Sequence, residues 1–245
     1  MDGIHLLAFQ ALSSLVSSDA SGELRLWNLT SRKCLASWQA HNGVVRTVTF
    51  TAKGEELMSV GDDKTIKTWA VEESMSDTPK DTIVSKHMVN CLSHATNSDN
   101  FATCGEATQL WTRGRHVPSR TFQWGVDSIH HVKFSPVETH LLAAAGSDRS
   151  IILYDSREVG PVRRVVMNLK TNVVAWNPME AMVFTAGNED YNLYTFDLRK
   201  LERPVQVLMD HVGAVVDVDY SPTGRELVSG SYDKTVRLWS ADQGR

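Results

Sequence analysis

Residues 209–239 read MDHVGAVVDVDYSPTGRELVSGSYDKTVRLW, and their pattern decides the fold. Apolar and polar side chains alternate through VVDVDY (215–220) and TVRLW (235–239), the period-two pattern of strands with two distinct faces. Ser221-Pro222-Thr223-Gly224 separates the first strand from the next: proline presets φ, and glycine accepts a left-handed backbone. Asp233 sits in a second tight turn, six residues before Trp239. No helical period interrupts this run of short strands.

The same unit recurs along the chain. Aromatic residues ending β-type runs fall at Trp27, Trp69, Trp111, Tyr154, Phe196 and Trp239, at intervals of 42, 42, 43, 42 and 43 residues. Self-similarity at so even a period marks a repeat architecture, with one supersecondary unit per repeat. A second series, Phe50, Phe134, Trp176 and Tyr220, ends another strand of each unit, and the spacing assigns Leu92 to the vacant place. Asp63, Asp148, Asp190 and Asp233 precede the first series by six residues, in turns rich in Gly, Ser and Asn. The expectation is an all-β chain with one domain over 1–245.

Composition excludes other classes. With 42% hydrophobic and 8% aromatic residues and a net charge of −4, the chain has enough apolar material to fold. A pI near 6.1 argues against a bulk electrostatic grip on nucleic acid. No apolar run is long enough for a membrane helix. The first eighteen residues lack the positive start of a signal peptide, and Gln10 breaks their apolar stretch. Cys34, Cys91 and Cys104 are odd in number and lack metal-site spacing, so they read as reduced thiols. His130-His131 is the one adjacent histidine pair; strand alternation predicts one ring packed and one exposed, and no metal site. Phosphate-loop, dinucleotide, zinc-protease and calcium-loop motifs are missing, so no cofactor and no small-molecule substrate are expected.

Short strands with an HxxxVxxVxF start and a DxxΦxxW end resemble the WD40 repeat. The resemblance implies a β-propeller, with about six recognisable repeats of a seven-bladed form. Two repeats keep the polar signature: His41, Ser59, Asp63 and Trp69, and His211, Ser229, Asp233 and Trp239. A Ser–His–Asp set invites a hydrolase reading, but these serines lack a nucleophile elbow and an oxyanion loop. A buried hydrogen-bond chain that holds the strand-ending indole is the better reading, and no catalytic residue is assigned. Gly125 and Met167 replace the histidine, and Ala144 and Ala186 the serine, in repeats expected to rest on apolar packing.

A closer resemblance rests on VGDDKTIKTW (60–69), FATCGEATQLW (101–111), residues 121–157 and, most specifically, VVAWNPMEAMVFTAGNEDYNLYTFDLR (173–199). These segments, with 209–239, resemble the Sof-type nucleolar WD40 family. That resemblance implies a non-enzymatic scaffold of the nucleus and nucleolus, which touches small-subunit processome proteins, the U3 small nucleolar ribonucleoprotein and pre-rRNA during 18S rRNA maturation. The family is also described as a substrate receptor of cullin-4 RING ubiquitin ligases, through an aromatic-Asp-x-Arg motif. Two such motifs occur here, ending at Asp155–Arg157 and Asp197–Arg199; each could present a guanidinium to the ligase adaptor or merely tie its own turn.

Basic clusters at Arg113, Arg115, His116 and Arg120, at Arg163-Arg164, and at Arg199-Lys200 with Arg203 precede fourth-strand positions. Arg113, Arg115, Arg120, Arg163 and Arg164 are the candidate RNA contacts. The polar stretch 72–80 (EESMSDTPK) reads as an insertion and a phosphorylation candidate. At 42 residues per repeat, 245 residues hold slightly under six units. Residues 1–10 are expected to serve as the first strand, the last unit lacks its fourth strand, and the family's seventh blade and basic tail are expected to be missing, leaving the propeller unclosed.

Overall fold

The computed structural model describes residues 4–10 (as backbone), 14–51, 53–71, 77–123, 125 and 128–241. Every regular element among them is a β-strand, and none is a helix. Neighbours in sequence pair antiparallel, so each repeat folds into its own up-and-down sheet, the form of a propeller blade.

The chain divides into two compact units, Met1–Ser119 and Arg120–Arg245. In the first unit, sheet one runs through Ile4–Gln10, Ser14–Asp19, Glu23–Asn28 and Lys33–Gln39. Sheet two follows with Val45–Phe50, Glu56–Gly61, Thr65–Ala70 and Asp81–Val84. Val89–His94, Asn100–Gly105 and Thr108–Thr112 belong to sheet three. The division falls just before the short strand Arg120–Phe122. The second unit then holds sheet four (Ile129–Phe134, Leu141–Gly146, Ser150–Asp155, Pro161–Val166) and sheet five (Thr171–Trp176, Val183–Asn188, Asn192–Asp197, Gln206–Met209). Sheet six has three strands among the described residues, Val215–Tyr220, Glu226–Ser231 and Val236–Ser240.

All six aromatic marks lie on third strands, and Ile4–Gln10 pairs with Ser14–Asp19 as the expected first strand of sheet one. The core lies between sheets rather than within them. Leu24, Leu57 and Trp69 meet between sheets one and two, and Met58, Ile66 and Phe101 between two and three. In the second unit, Trp176, Phe184 and Phe196 fill the space beside sheet four, and Val215, Val218 and Leu227 of sheet six pack on Val173 and Leu193. Burying each such large side chain contributes roughly 1.5–3 kcal/mol. Hydrogen bonds add stitches between sheets, as where the Trp176 indole donates to the Lys133 carbonyl at 3.0 Å and Asn172 donates to that of Val215 at 2.8 Å.

Register corrects two expectations. Phe50, Phe134, Trp176 and Tyr220 each pair with the residue that also pairs with the third-strand aromatic. In sheet three that residue is Phe101, and its first-strand partner is His94, not Leu92. Leu92 pairs with Thr103 instead, one step of the pleat earlier on the same face. The second correction concerns His130 and His131. A β-bulge between Ile129 and His131 breaks the alternation, and both rings are half-buried rather than one exposed. His130 Nε2 lies 2.6 Å from the Thr171 carbonyl oxygen, and His131 Nδ1 accepts from Val174 N–H at 3.4 Å. The thiols are free: Cys34 is exposed, while Cys91 and Cys104 are buried opposite one another.

Sheet six is asymmetric. One face packs on sheet five, whereas Val228, Val236 and Leu238 on the other are 36%, 74% and 81% exposed.

Candidate functional site

The two polar sets close as hydrogen-bond chains. His41 Nδ1 lies 3.0 Å from Asp63 Oδ1, and its Nε2 lies 2.8 Å from Ser59 Oγ, which also accepts from the Trp69 indole at 2.9 Å. The second set repeats this: His211 to Asp233 at 2.7 Å, His211 to Ser229 at 2.7 Å, and Trp239 to Ser229 at 2.7 Å. A carboxylate at Nδ1 requires the proton there, so Nε2 accepts from the serine hydroxyl. Burial pushes the Asp63 carboxyl up, but bonds from Thr65, His41 and the Asn42 N–H outweigh it and hold the group below the usual carboxylate range. Asp233 is held well below that range in the same way, by Thr235, His211 and the Val212 N–H against the effect of burial. Burial lowers His41 despite its Asp63 partner, which keeps the ring neutral.

The connectivity of Asp, His and Ser is that of a hydrolase triad, yet Ser59 and Ser229 are fully buried and each hydroxyl is occupied by an indole. No substrate carbonyl can reach them. What the chain does is orient the ring: every donor meets an acceptor inside the sheet.

The indole bond extends further than the full signature. Trp27 donates to Ser17 at 2.8 Å and Trp111 to Thr103 at 2.9 Å. Every third-strand indole among the described residues therefore has a hydroxyl on the neighbouring second strand. Where the ring is Tyr154 or Phe196, the hydroxyl position is Ala144 or Ala186; both rings are buried, Phe196 with Ala186 in one apolar cluster. This covariation within one chain is a signal in the sequence, Ser or Thr eight to ten residues ahead of each third-strand Trp.

The two aromatic-Asp-x-Arg motifs have one geometry. Asp155 Oδ1 accepts the Arg157 backbone N–H at 2.9 Å and its Nε–H at 3.0 Å, while Oδ2 accepts Nη2–H at 2.7 Å. Asp197 and Arg199 match this at 2.9, 2.9 and 2.6 Å. Each arginine holds its aspartate below the usual range. The side chains of Arg157 and Arg199 nevertheless stay 67% and 71% exposed. Each pair ties its own turn and displays a preoriented guanidinium whose Nη1 has no hydrogen-bond partner among the described residues.

The basic clusters are largely committed. Arg113 reaches Glu56 of sheet two at 2.8 Å and Asp99 at 3.5 Å, Arg164 pairs with Asp148, Arg120 donates to the Glu158 carbonyl, and His116 meets Asp81 at 3.0 Å. Arg115 and Arg163 are exposed, without an ion pair among the described residues. No group of three metal-ligating side chains assembles among the described residues.

The sequence pattern described as "WD domain, G-beta repeat" matches residues 32–70, 117–155 and 202–240. These stretches are WD40 repeats. Each matched stretch ends with a third strand, one residue beyond Trp69, Tyr154 and Trp239. The chain is 46% identical over 248 residues to "DDB1- and CUL4-associated factor 13" of Xenopus laevis, covering 99% of this chain and 56% of that protein. It is 46% identical over 249 residues to the Homo sapiens protein of the same name, covering 100% of this chain and 56% of that one. Identity to "Protein SOF1" of Saccharomyces cerevisiae is 36% over 271 residues, covering 99% and 55%. The Sof-type resemblance of the quoted segments thus extends over nearly the whole chain, which spans a little over half the length of these relatives.

Proposed function

We propose that this WD40 chain is a non-enzymatic scaffold in ribosome biogenesis, serving 18S pre-rRNA processing in the small-subunit processome of the nucleolus. Its partners on this reading are processome proteins and the U3 small nucleolar ribonucleoprotein. The observation that carries it is the 36% identity to yeast SOF1 over 99% of the chain, including the WNPMEA and NEDYNLYTFD segments. The buried, fully partnered Ser–His–Asp sets support a structural rather than catalytic use of that chemistry. Direct contact with pre-rRNA falls to Arg115 and Arg163, whose charges are unspent, with Arg113, Arg120 and Arg164 as second-line contacts that must first leave their protein partners. Depletion is expected to accumulate unprocessed pre-18S RNA, and the tagged chain is expected to sediment with pre-40S particles. Normal rRNA processing after complete depletion overturns the reading.

A second reading has its own observation. Arg157 and Arg199 are exposed on matching Asp-braced turns, and the relatives from frog and human carry association with DDB1 and CUL4 in their names. As a cullin-4 substrate receptor, the chain would offer these two guanidiniums to the adaptor. Arg157→Ala with Arg199→Ala is then expected to abolish co-purification of the adaptor, while the Asp-braced turns lose only a solvent-screened exposed pair. Undiminished capture by the double variant removes this reading and leaves the first intact.

A further inference from the structure

Three hydroxyl residues in the chain precede a proline: Thr78, Ser135 and Ser221. Ser135 is fully buried, and its Oγ accepts the Glu138 N–H at 3.1 Å. Ser221 is half-buried and engaged at its turn, 2.9 Å from Thr223 Oγ1 and 3.3 Å from the Glu226 N–H. Thr78 alone of the three is exposed. It stands in the connection between the third and fourth strands of sheet two, residues 71–80, against four residues (29–32) at the same place in sheet one.

What surrounds Thr78 is charged and coupled. Two residues on, the Lys80 ammonium is bonded to Glu56, whose side chain is only 8% exposed. The other oxygen of Glu56 takes Arg113 from sheet three at 2.8 Å. Glu56, Lys80 and Arg113 line a cavity of about 350 Å³ between sheets two and three, floored by Met58, Ile83 and Phe101. Glu56 thus has two cations, one of them Lys80, which is 61% exposed and within side-chain reach of residue 78.

We propose that Thr78 is a phosphorylation site for a proline-directed protein kinase, and that the phosphate draws Lys80 away from Glu56. In the transfer, Thr78 Oγ bonds to the γ-phosphorus of ATP and the bond to the β,γ-bridging oxygen breaks. ADP leaves with that electron pair, and the hydroxyl proton passes to the kinase's base. The product carries close to two negative charges at neutral pH and three strong acceptors. The dianion competes for Lys80 because that ammonium is exposed and Arg113 remains to neutralise the buried Glu56 carboxylate. Glu56 is left with Arg113, and the cavity mouth loses its lysine.

The test uses the whole 245-residue chain, a recombinant proline-directed kinase and ATP, with a synthetic peptide of residues 72–84 alongside. Mass spectrometry is expected to place one phosphate, on Thr78, and none in Thr78→Val. Phosphorus NMR titration is expected to give the protein phosphate a second pKa about half a unit below that of the peptide, and Lys80→Met is expected to restore the peptide value. No incorporation at Thr78, or incorporation at Ser221 instead, overturns the site. A titration unaffected by Lys80→Met overturns the exchange with Glu56.

Discussion

Thr103 and Trp111 isolate the indole–hydroxyl contact that recurs through the molecule, because no histidine adjoins them in a longer chain. Both groups are buried, and their bond is 2.9 Å. Thr103→Val keeps the shape but leaves an indole N–H without an acceptor; Trp111→Phe leaves a hydroxyl without its donor. Each is expected to cost about 1–3 kcal/mol. The double variant recreates the solution that sheet five already uses, Ala186 with Phe196, and should cost about 1 kcal/mol less than the two singles added together. Urea denaturation of all four proteins measures the cycle, and strict additivity would mean that the bond contributes nothing. The sequence showed the full sets at Ser59 and Ser229 because His41 and His211 precede them at a fixed distance. It hid Ser17, which has no such histidine, and Thr103, which stands two residues closer to its indole than the serines do because the turn Glu106–Ala107 is short. His94 was hidden for another reason. Periodicity counts residues, whereas the pleat counts pairs, and only the pairing with Phe101 puts His94 in the aromatic place.

Among the elements, the turn between second and third strands carries the most chemistry. Asp63 and Asp233 bond both the N–H and the hydroxyl of the threonine two residues later. Lys64 and Lys234 between them adopt φ of 61° and 66°, the left-handed residue that closes a three-residue hairpin loop. The charged cap offsets a backbone cost of roughly 1–2 kcal/mol that an L-residue bears there. Lys64→Gly is therefore expected to raise stability by about 0.5–1 kcal/mol, since the carboxylate bonds stay in place. Sheet one has glycine at the matching place, Gly22 at φ 94°, and there the reverse change must fail. A Cβ on Gly22 would lie 2.1 Å from the His41 carbonyl oxygen, so Gly22→Ala is expected to cost 2 kcal/mol or more. Chemical denaturation of both variants reads these opposite signs. Equal signs would show that the turn conformation is not what limits stability. The aspartates of these turns were legible from their six-residue spacing; the left-handed lysines were not, because nothing in the residue type Lys announces positive φ.

At the scale of the molecule, protons act unevenly. His41 and His94 are both held below the ordinary histidine value, by burial first, and both lie in the Met1–Ser119 unit. A histidine neutral in the fold but protonated when unfolded makes the unfolded state bind more protons, so stability falls as pH drops below about 6.5. The depressed carboxylates Asp63, Asp148, Asp155, Asp197 and Asp233 span both units and act later. Their stabilisation is complete above about 4 and is lost as pH falls through their lowered folded values. Mild acid should therefore loosen sheet two before sheet four, where Gly125 and Ala144 stand in place of the histidine and serine and no imidazole occupies the buried hydrogen-bond chain. Hydrogen exchange, corrected for the intrinsic pH dependence of the amide rate, is expected to show falling protection in Val45–Phe50 and Glu56–Gly61 between pH 7 and 5. Protection in Leu141–Gly146 is expected to hold until the carboxylates titrate. His41→Phe with Ser59→Ala, the apolar arrangement transplanted into sheet two, should flatten most of the early loss there. If that variant keeps the full wild-type slope, the buried imidazole of the hydrogen-bond chain is not the group that senses acid.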